Sequence, residues 1–233
     1  MAKRKARNSQ PIEEVTTPVE QPVVLTVAGS LAECLADMME RFDLPPALLA
    51  QTAPYAVHRP DGKKYPQATG TPDERHVLYA LVRALKPQHA VEIGVLWGVS
   101  TIQLLSALRD NDTGHLTAID INTEIEGKRK PGHLIPADLR KRLTLHIGMG
   151  GEDYFSADKP VIDFLFEDAS HEYDSTRTIH AAARVQLAHG ALVIAHDPVS
   201  RPEIQRAFVD SGISPIIYRI DNSPYGLAIW RNL

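Results

Sequence analysis

Cysteine is nearly absent: Cys34 is the only one in 233 residues. A single thiol excludes an internal disulfide and any cysteine cage for zinc. Its place in an apolar helical pattern marks it as a small buried side chain. Long apolar runs are missing too, since no stretch approaches the ~20 residues needed to span a bilayer. The basic start (Lys3, Arg4, Lys5, Arg7) has no hydrophobic segment behind it of the kind a secretory signal needs. The expectation is a cytoplasmic protein without a membrane partner, its basic start a solvated tail. An excess of positive charge is also lacking. The formal net charge is −4, which gives no global ground for nucleic-acid binding. Aromatic residues make up 6%, and no legible code in the sequence identifies an acceptor.

What is there suits one large domain with an appendage: 43% hydrophobic and 23% charged residues, in a chain long enough to bury a sizeable core. Residues 1–22 are polar, carry Pro11, Pro18 and Pro22, and show no helical or strand period, so a flexible tail is expected. Residues 23–66 read as an N-terminal helical and lid segment. Ser30 can cap a helix with Leu31, Leu35, Met38, Met39 and Phe42 on one face, and Pro45-Pro46 ends it. A short second helix is expected from Pro46 to about Gln51, and the turn-rich segment His58–Thr71 could close over an acceptor. An apolar face on the 30–52 helices could be buried against a second subunit, so a homo-oligomer is one expectation.

Residues 67–233 form the main domain in this reading. A helix from Pro72 to about Leu85 precedes strand-like runs at 90–95, 116–121, 143–147, 161–167 and 191–196, with helices at Ser100–Leu108 and Thr176–Ala188 among the segments between them. Apolar runs separated by helices predict a doubly wound, mostly parallel α/β sheet of seven strands, covered on both faces. Ile216–Ile220 and Gly226–Trp230 flank a turn at 221–224 and read as an antiparallel hairpin closing the sheet.

The chemistry concentrates at strand ends. Val91-Glu92-Ile93-Gly94-Val95-Leu96-Trp97-Gly98-Val99-Ser100 leaves a strand, turns and enters a helix. Gly94 allows a sharp backbone and close approach of a ligand. Gly98 permits close packing at the helix start, whose free amides favour an anion. Two glycines four apart do not make the G-x-G-x-x-G dinucleotide fingerprint, and Leu96 and Trp97 would crowd a pyrophosphate. Asp120 ends the next strand, where an acid can bind both hydroxyls of a ribose. An ordinary cap or a solvent-facing acid is the alternative there.

This pattern, E-h-G-x-x-x-G-h-S followed by a strand ending in an acid, resembles class I methyltransferases that use S-adenosylmethionine. It is most similar to the catechol and caffeoyl-CoA O-methyltransferase type. The leader Thr69-Gly70-Thr71-Pro72 and the Leu85-Lys86-Pro87 that precedes the first strand match as well, so the resemblance spans roughly residues 67–231. It implies a Rossmann-like methyltransferase fold and S-adenosylmethionine as cofactor. The cofactor residues it implies are Thr69, Glu92, Gly94, Gly98, Ser100, Asp120, Gly148 and Gly150. Ser100 would hold the carboxylate and Asp120 the ribose. Gly148-Met149-Gly150-Gly151 falls at the adenine end.

A buried-looking strand ends in Phe166-Glu167-Asp168-Ala169-Ser170-His171-Glu172-Tyr173, and the next ends in His196-Asp197. Neighbouring tips ~5 Å apart would bring two carboxylates and an imidazole together, a set able to bind a divalent metal. On the same resemblance, Asp168, His196 and Asp197 are the metal ligands and His171 the general base, three residues after the first acid. The D-x-x-H-x-Y form is most similar to the actinobacterial sugar and cephamycin-type branch. A histidine at 196, where an acid is usual, shifts preference from Mg toward Mn, Fe or Zn. Glu167 and Glu172 read as structural or solvent-facing, and Asp174 as a cap for the following helix. The resulting expectation is methyl transfer to a hydroxyl of a small molecule, assisted by a divalent metal. The alternatives are a metal-free methyltransferase with histidine bases and a non-catalytic S-adenosylmethionine-binding scaffold.

Overall fold

Strands rich in Val, Ile, Leu and Phe that are apolar on both faces can be stable only with helices above and below them. A computed structural model describes residues 23–45, 70–156, 158–221 and 223–233 and has this architecture. The strands are β1 (Val24–Ala28), β2 (His89–Ile93), β3 (His115–Asp120), β4 (Leu143–Ile147), β5 (Ile162–Glu167), β6 (Leu187–His196), β7 (Ile216–Ile220) and β8 (Leu227–Arg231). The helices are α1 (Leu31–Arg41), α2 (Pro72–Leu85), α3 (Val99–Asp110), α4 (Gly151–Tyr154), α5 (Tyr173–Ala183) and α6 (Pro202–Asp210). One sheet holds all the strands in the order β1-β7-β8-β6-β5-β2-β3-β4. Only β8 runs against its neighbours β6 and β7; every other pairing is parallel.

The mostly parallel, doubly wound sheet with an antiparallel closing strand is the expected fold, with eight strands rather than seven. The additional strand is β1, which pairs in parallel with β7 in the register Val24↔Ile216 to Ala28↔Ile220. Its sequence, VLTVA, carries a β-branched signal that the neighbouring prolines obscure. Part of the 23–66 segment therefore belongs to the central sheet. The expected flexible tail, the second helix at 46–51, the lid at 58–71 up to residue 69, and Thr69 lie outside the described residues.

Local chemistry sets the ends of the elements. Ser30 caps α1 by accepting from the Glu33 amide. Thr71 and Glu74 form a reciprocal capping box at the start of α2, with Pro72 at the first helical position. Helix α5 stops at Ala183, earlier than the periodicity of 176–188 predicts, because Gln186 turns the chain into β6. Its amide donates to the Ala183 carbonyl, its carbonyl accepts from Ile162, and its side-chain amide donates to Pro160.

Two apolar layers flank the sheet. On one face Leu81 of α2 and Leu104, Leu105 and Leu108 of α3 pack with Phe164, Phe166 and Leu192. On the other, Ile179 of α5 packs with Val91, Ile119, Leu165 and Val193. The order of connection reverses between β2 and β5, since β3 and β4 extend one way and β6 onward the other. That reversal opens a crevice at the carboxyl ends of β2 and β5, where open α/β sheets bind ligands.

Helix α1 is fastened to the sheet by the buried Tyr218 hydroxyl, which donates to Asp37 Oδ2 at 2.7 Å. Tyr218→Phe should cost about 1.5 kcal/mol, the loss of one hydrogen bond to a charged acceptor. Urea unfolding would measure this as a lower midpoint with an unchanged slope.

Candidate active site

The crevice begins with three strand tips fastened together. The Gly94 amide donates to the Ile119 carbonyl (2.9 Å) and the Asp168 amide to the Ile93 carbonyl (2.8 Å). Gly94 has φ +92, and a Cβ there would lie 2.0 Å from the Asp168 carbonyl oxygen. Glycine is thus required by the approach of β5 to β2, in addition to any ligand. Beyond the tips lies a cavity of about 440 Å³, lined by residues from 93–97, 119–122, 150–152 and 168–171 together with the start of α3 and Ser175 and Ile179 of α5.

Asp120 stands in this wall, buried at the end of β3. One oxygen accepts from the amides of Val95 (3.1 Å) and Leu96 (2.8 Å), the other from the amide (2.8 Å) and side chain (3.0 Å) of Asn122. The carboxylate therefore holds the 94–96 turn in shape, and Leu96 is kept at φ +46, an uncommon backbone for a non-glycine residue. Helix α3 starts at Gly98 without a side-chain cap, which leaves first-turn amides available to an anion. Behind the wall, fully buried Glu92 accepts from Ser100 Oγ at 2.6 Å, and its second oxygen has no partner. Burial pushes the Glu92 carboxyl up to about 8, only partly offset by the Ser100 hydroxyl.

Of the residues expected around a cofactor, Gly94, Ser100, Asp120 and Gly150 line the cavity. Glu92 stands behind it, in contact with Ser100. Gly98 is the turn into α3, where a Cβ would meet Ile135 Cγ1 at 2.6 Å. Gly148 follows β4 and donates its amide to the Asp120 carbonyl. Asn122 was not among the expected residues, although an amide two positions beyond a strand-tip acid is a readable turn signal.

At one end of the cavity Asp168, His171, His196 and Asp197 come together. His171 Nε2 lies 3.4 Å from Asp168 Oδ1 and 3.5 Å from Asp197 Oδ2. Its Nδ1 is buried and has no hydrogen-bond partner. His196 Nδ1 lies 3.1 Å from Asp168 Oδ1 and 3.2 Å from Asp197 Oδ1, and its Nε2 lies 3.4 Å from Glu74 Oε2. His171 (φ +57) and Asp197 (φ +67) both hold left-handed backbone, a strain that persists where the surrounding structure enforces it.

Electrostatics follow from this pairing. Burial alone would lower the His196 imidazole, but Asp168 and Glu74 at its two ends raise it well above its ordinary value. Burial would likewise raise Glu74, yet His196, Ser223 and Thr71 bring it down to about 2. Burial also works against an ionised Asp168, and the fields of His196 and His171 outweigh it and hold the carboxyl low. Asp197 goes the other way, raised by burial and by the neighbouring carboxylates.

As assembled, Asp168, His196 and Asp197 do not fit a divalent ion. Among the described residues no group of three or more His, Cys, Asp or Glu side chains is arranged to hold one. His196 has a carboxylate oxygen at each ring nitrogen, Asp168 Oδ1 at Nδ1 (3.1 Å) and Glu74 Oε2 at Nε2 (3.4 Å), so both positions from which an imidazole can ligate a metal are taken up. Glu74, missed in the sequence because it reads as half of a capping box, is the second of these partners, after Asp168. The supporting acids divide as follows. Glu167 is buried and accepts from the Ala169 amide at 3.0 Å. Asp174 lies inside the first turn of α5 rather than capping it, because the helix begins at Tyr173. Tyr173 turns away to donate to Asp210 on α6.

Residues 91–198 match the family model of a methyltransferase domain. That segment, which runs from β2 to just past β6, is similar to methyltransferase domains. Among curated proteins none matches significantly. Among solved structures, an O-methyltransferase from Bacillus cereus in complex with SAH aligns at 16% identity with a TM-score of 0.57, covering 87% of this chain and 90% of that one. The O-methyltransferase TomG from Streptomyces achromogenes, involved in tomaymycin synthesis and in complex with SAM, aligns at 17% identity with a TM-score of 0.54, covering 85% and 87%. At these identities the likeness is one of fold. No helix among the described residues is long and apolar enough to cross a membrane.

Two outcomes test this construction. Gly94→Ala should destabilise the fold by about 3 kcal/mol through overpacking, read by chemical denaturation. For Glu92, a native value of about 8 above the ordinary 4.5 means the folded state keeps a proton that the unfolded chain has lost, so its contribution to stability falls as pH rises between those values. Glu92→Gln should remove that fall. The wild-type-minus-variant difference in unfolding free energy should become less favourable to wild type from pH 5 to pH 8.

Proposed function

We propose that the protein transfers a methyl group from S-adenosylmethionine to a hydroxyl of a small molecule, with His171 as the general base. The observation that carries this reading is the His171 imidazole, which lines the cavity with two carboxylates near its Nε2 and a buried Nδ1 that has no hydrogen-bond partner. A proton on Nε2 faces Asp168 and Asp197, so the lone pair belongs on Nδ1. This is the arrangement by which a carboxylate fixes the tautomer of a catalytic histidine. The complexes of the similar folds with SAM and SAH, and the geometry of the crevice, support the choice of cofactor.

The cavity residues fit such a cofactor. The uncapped start of α3 and Ser100 would meet its carboxylate, Asp120 and Asn122 its ribose, and the 150–152 backbone its adenine. Both Asp120 oxygens already accept two N–H groups each, so a ribose hydroxyl would displace an Asn122 bond, the side-chain one being the freer. When bound, S-adenosylmethionine supplies an electrophilic methyl on a sulfonium. His171 Nδ1 would take the acceptor's proton as the oxygen–methyl bond forms and the sulfur–methyl bond breaks. The walls at 93–97 and 168–171 hold the partners in line and exclude water.

His196, held cationic between Glu74 and Asp168, provides the positive charge that a divalent ion would otherwise bring to these carboxylates. The histidine reading is therefore preferred to the metal-assisted one. His171→Ala should lower kcat by about a thousand-fold, and Asp168→Asn should lower it too, while calorimetry shows S-adenosylmethionine still bound in both. Exhaustive chelation should leave wild-type turnover intact. Turnover retained in both variants would overturn the role of His171, and turnover lost on chelation and restored by a divalent ion would reinstate the metal.

A further inference from the structure

We propose that Glu74 is a positioning residue for this transfer site: from the start of α2 it fixes the His196 imidazole and, through it, the Asp168 oxygen against which His171 is oriented. The inference rests on the function proposed above but assigns a role to a residue outside the cavity, on an element that supplies no other group to the cluster.

A capping box asks little of its acidic member. The side chain needs only to accept from the N-cap amide, which it usually does at the surface, and glutamine serves as well as glutamate. Glu74 meets that need with one oxygen, Oε2, which accepts from the Thr71 amide at 2.7 Å. Yet Glu74 is 2% exposed, and a buried carboxylate is costly unless a cation meets it. The same Oε2 faces His196 Nε2 at 3.4 Å, and Oε1 accepts from Ser223 Oγ at 2.6 Å and the Gly226 amide at 3.0 Å. The backbone of Gly70 lies over the contact, so close that a Cβ there would be 3.5 Å from both Glu74 Oε2 and His196 Nε2. Four donors therefore surround this carboxylate, and one of them belongs to the cluster.

The geometry makes a chain. Glu74 holds Nε2 of His196, which turns Nδ1 toward Asp168 Oδ1 at 3.1 Å, and the same oxygen lies 3.4 Å from His171 Nε2. Without Glu74, His196 Nε2 loses the acceptor at 3.4 Å that fixes the rotation of its ring. Asp168 would then lose one of the two partners that fix its oxygen. His171 would keep its place in the chain but lose the orientation that leaves Nδ1 without a protein partner.

A role confined to fastening α2 and the β7–β8 turn predicts lost thermal stability and unchanged chemistry, so the test reads kinetics well below the melting temperature of each variant. Glu74→Gln retains the cap and should lower kcat by about a hundred-fold, the cost of a small misplacement, with the KM for S-adenosylmethionine within about two-fold of wild type. In a double-mutant cycle, Glu74→Gln combined with His196→Asn should be no slower than His196→Asn alone. A kcat for Glu74→Gln close to wild type, or a double variant whose loss is the product of the two single losses, overturns the proposal. Should Glu74→Gln fail to fold, the wild-type protein still decides the matter. Long-range nitrogen–proton NMR should find a proton on His196 Nε2, and a bare Nε2 overturns the positioning role. Absence of methyl transfer in the wild type would instead sink the proposed function.

Discussion

Everything at the candidate site depends on how closely β2 and β5 approach at their carboxyl ends. Two backbone bonds, Gly94 to Ile119 and Asp168 to Ile93, tie three neighbouring tips together. They can form only because residue 94 has no side chain, since a Cβ would collide with the Asp168 carbonyl. The approach falls where the order of connection reverses between β2 and β5. The crevice, the turn that lines it and the acid at its rim are thus consequences of a single backbone contact. A pair of strands packed even slightly further apart would leave Asp168 without its register and the 94–96 turn without its anchor in Asp120.

That contact also gathers carboxyl groups that would repel one another if all were ionised and bare. Glu92, Asp120, Asp168, Asp197 and Glu74 crowd the strand tips and the start of α2, and the fold deals with each differently. Glu92 is driven toward its neutral form by burial. Asp120 is surrounded by four N–H donors. Glu74 and Asp168 share the His196 cation between them. Asp197 is pushed upward by its neighbours. The electrostatics explain why the imidazole at 196 sits where a carboxylate would be hard to tolerate: one more negative charge beside Asp168, Asp197 and Glu74 would need an external cation, whereas a histidine brings its own.

Much of the fold was legible in the sequence because the signals were local. Alternation of apolar runs and helices gave the doubly wound sheet, and Pro72 with the apolar period that follows it marked α2 at Pro72–Leu85. Strand β1 escaped because five residues following a proline-bearing segment carry little periodicity, and its membership depends on pairing with β7, nearly two hundred residues later in the chain. The end of α5 escaped for a similar reason. Gln186 stops it through bonds to Pro160 and Ile162, which no helical pattern can announce. At the site, the places of Gly94, Asp120 and Asp168 at strand ends could be read from the apolar runs, since the carboxyl ends of parallel strands are where such folds place ligands, whereas His171 was singled out by the resemblance.

What the sequence could not disclose was which neighbour each of those groups would face, and this decides the chemistry. Asp168, His196 and Asp197 are, as a list of residue types, a plausible set of metal ligands. The same three with a buried glutamate behind the imidazole are a charge-compensated hydrogen-bonded chain. Glu74 lies 122 residues before His196 and already has a complete local explanation as a helix cap, so nothing in its own sequence neighbourhood calls for another. Only its burial does. A capping carboxylate at the surface is solvated by water, whereas one sealed under Gly70 must be answered by protein, and the available cation is the histidine at the tip of β6. The burial of a single side chain thus changes the meaning of three others.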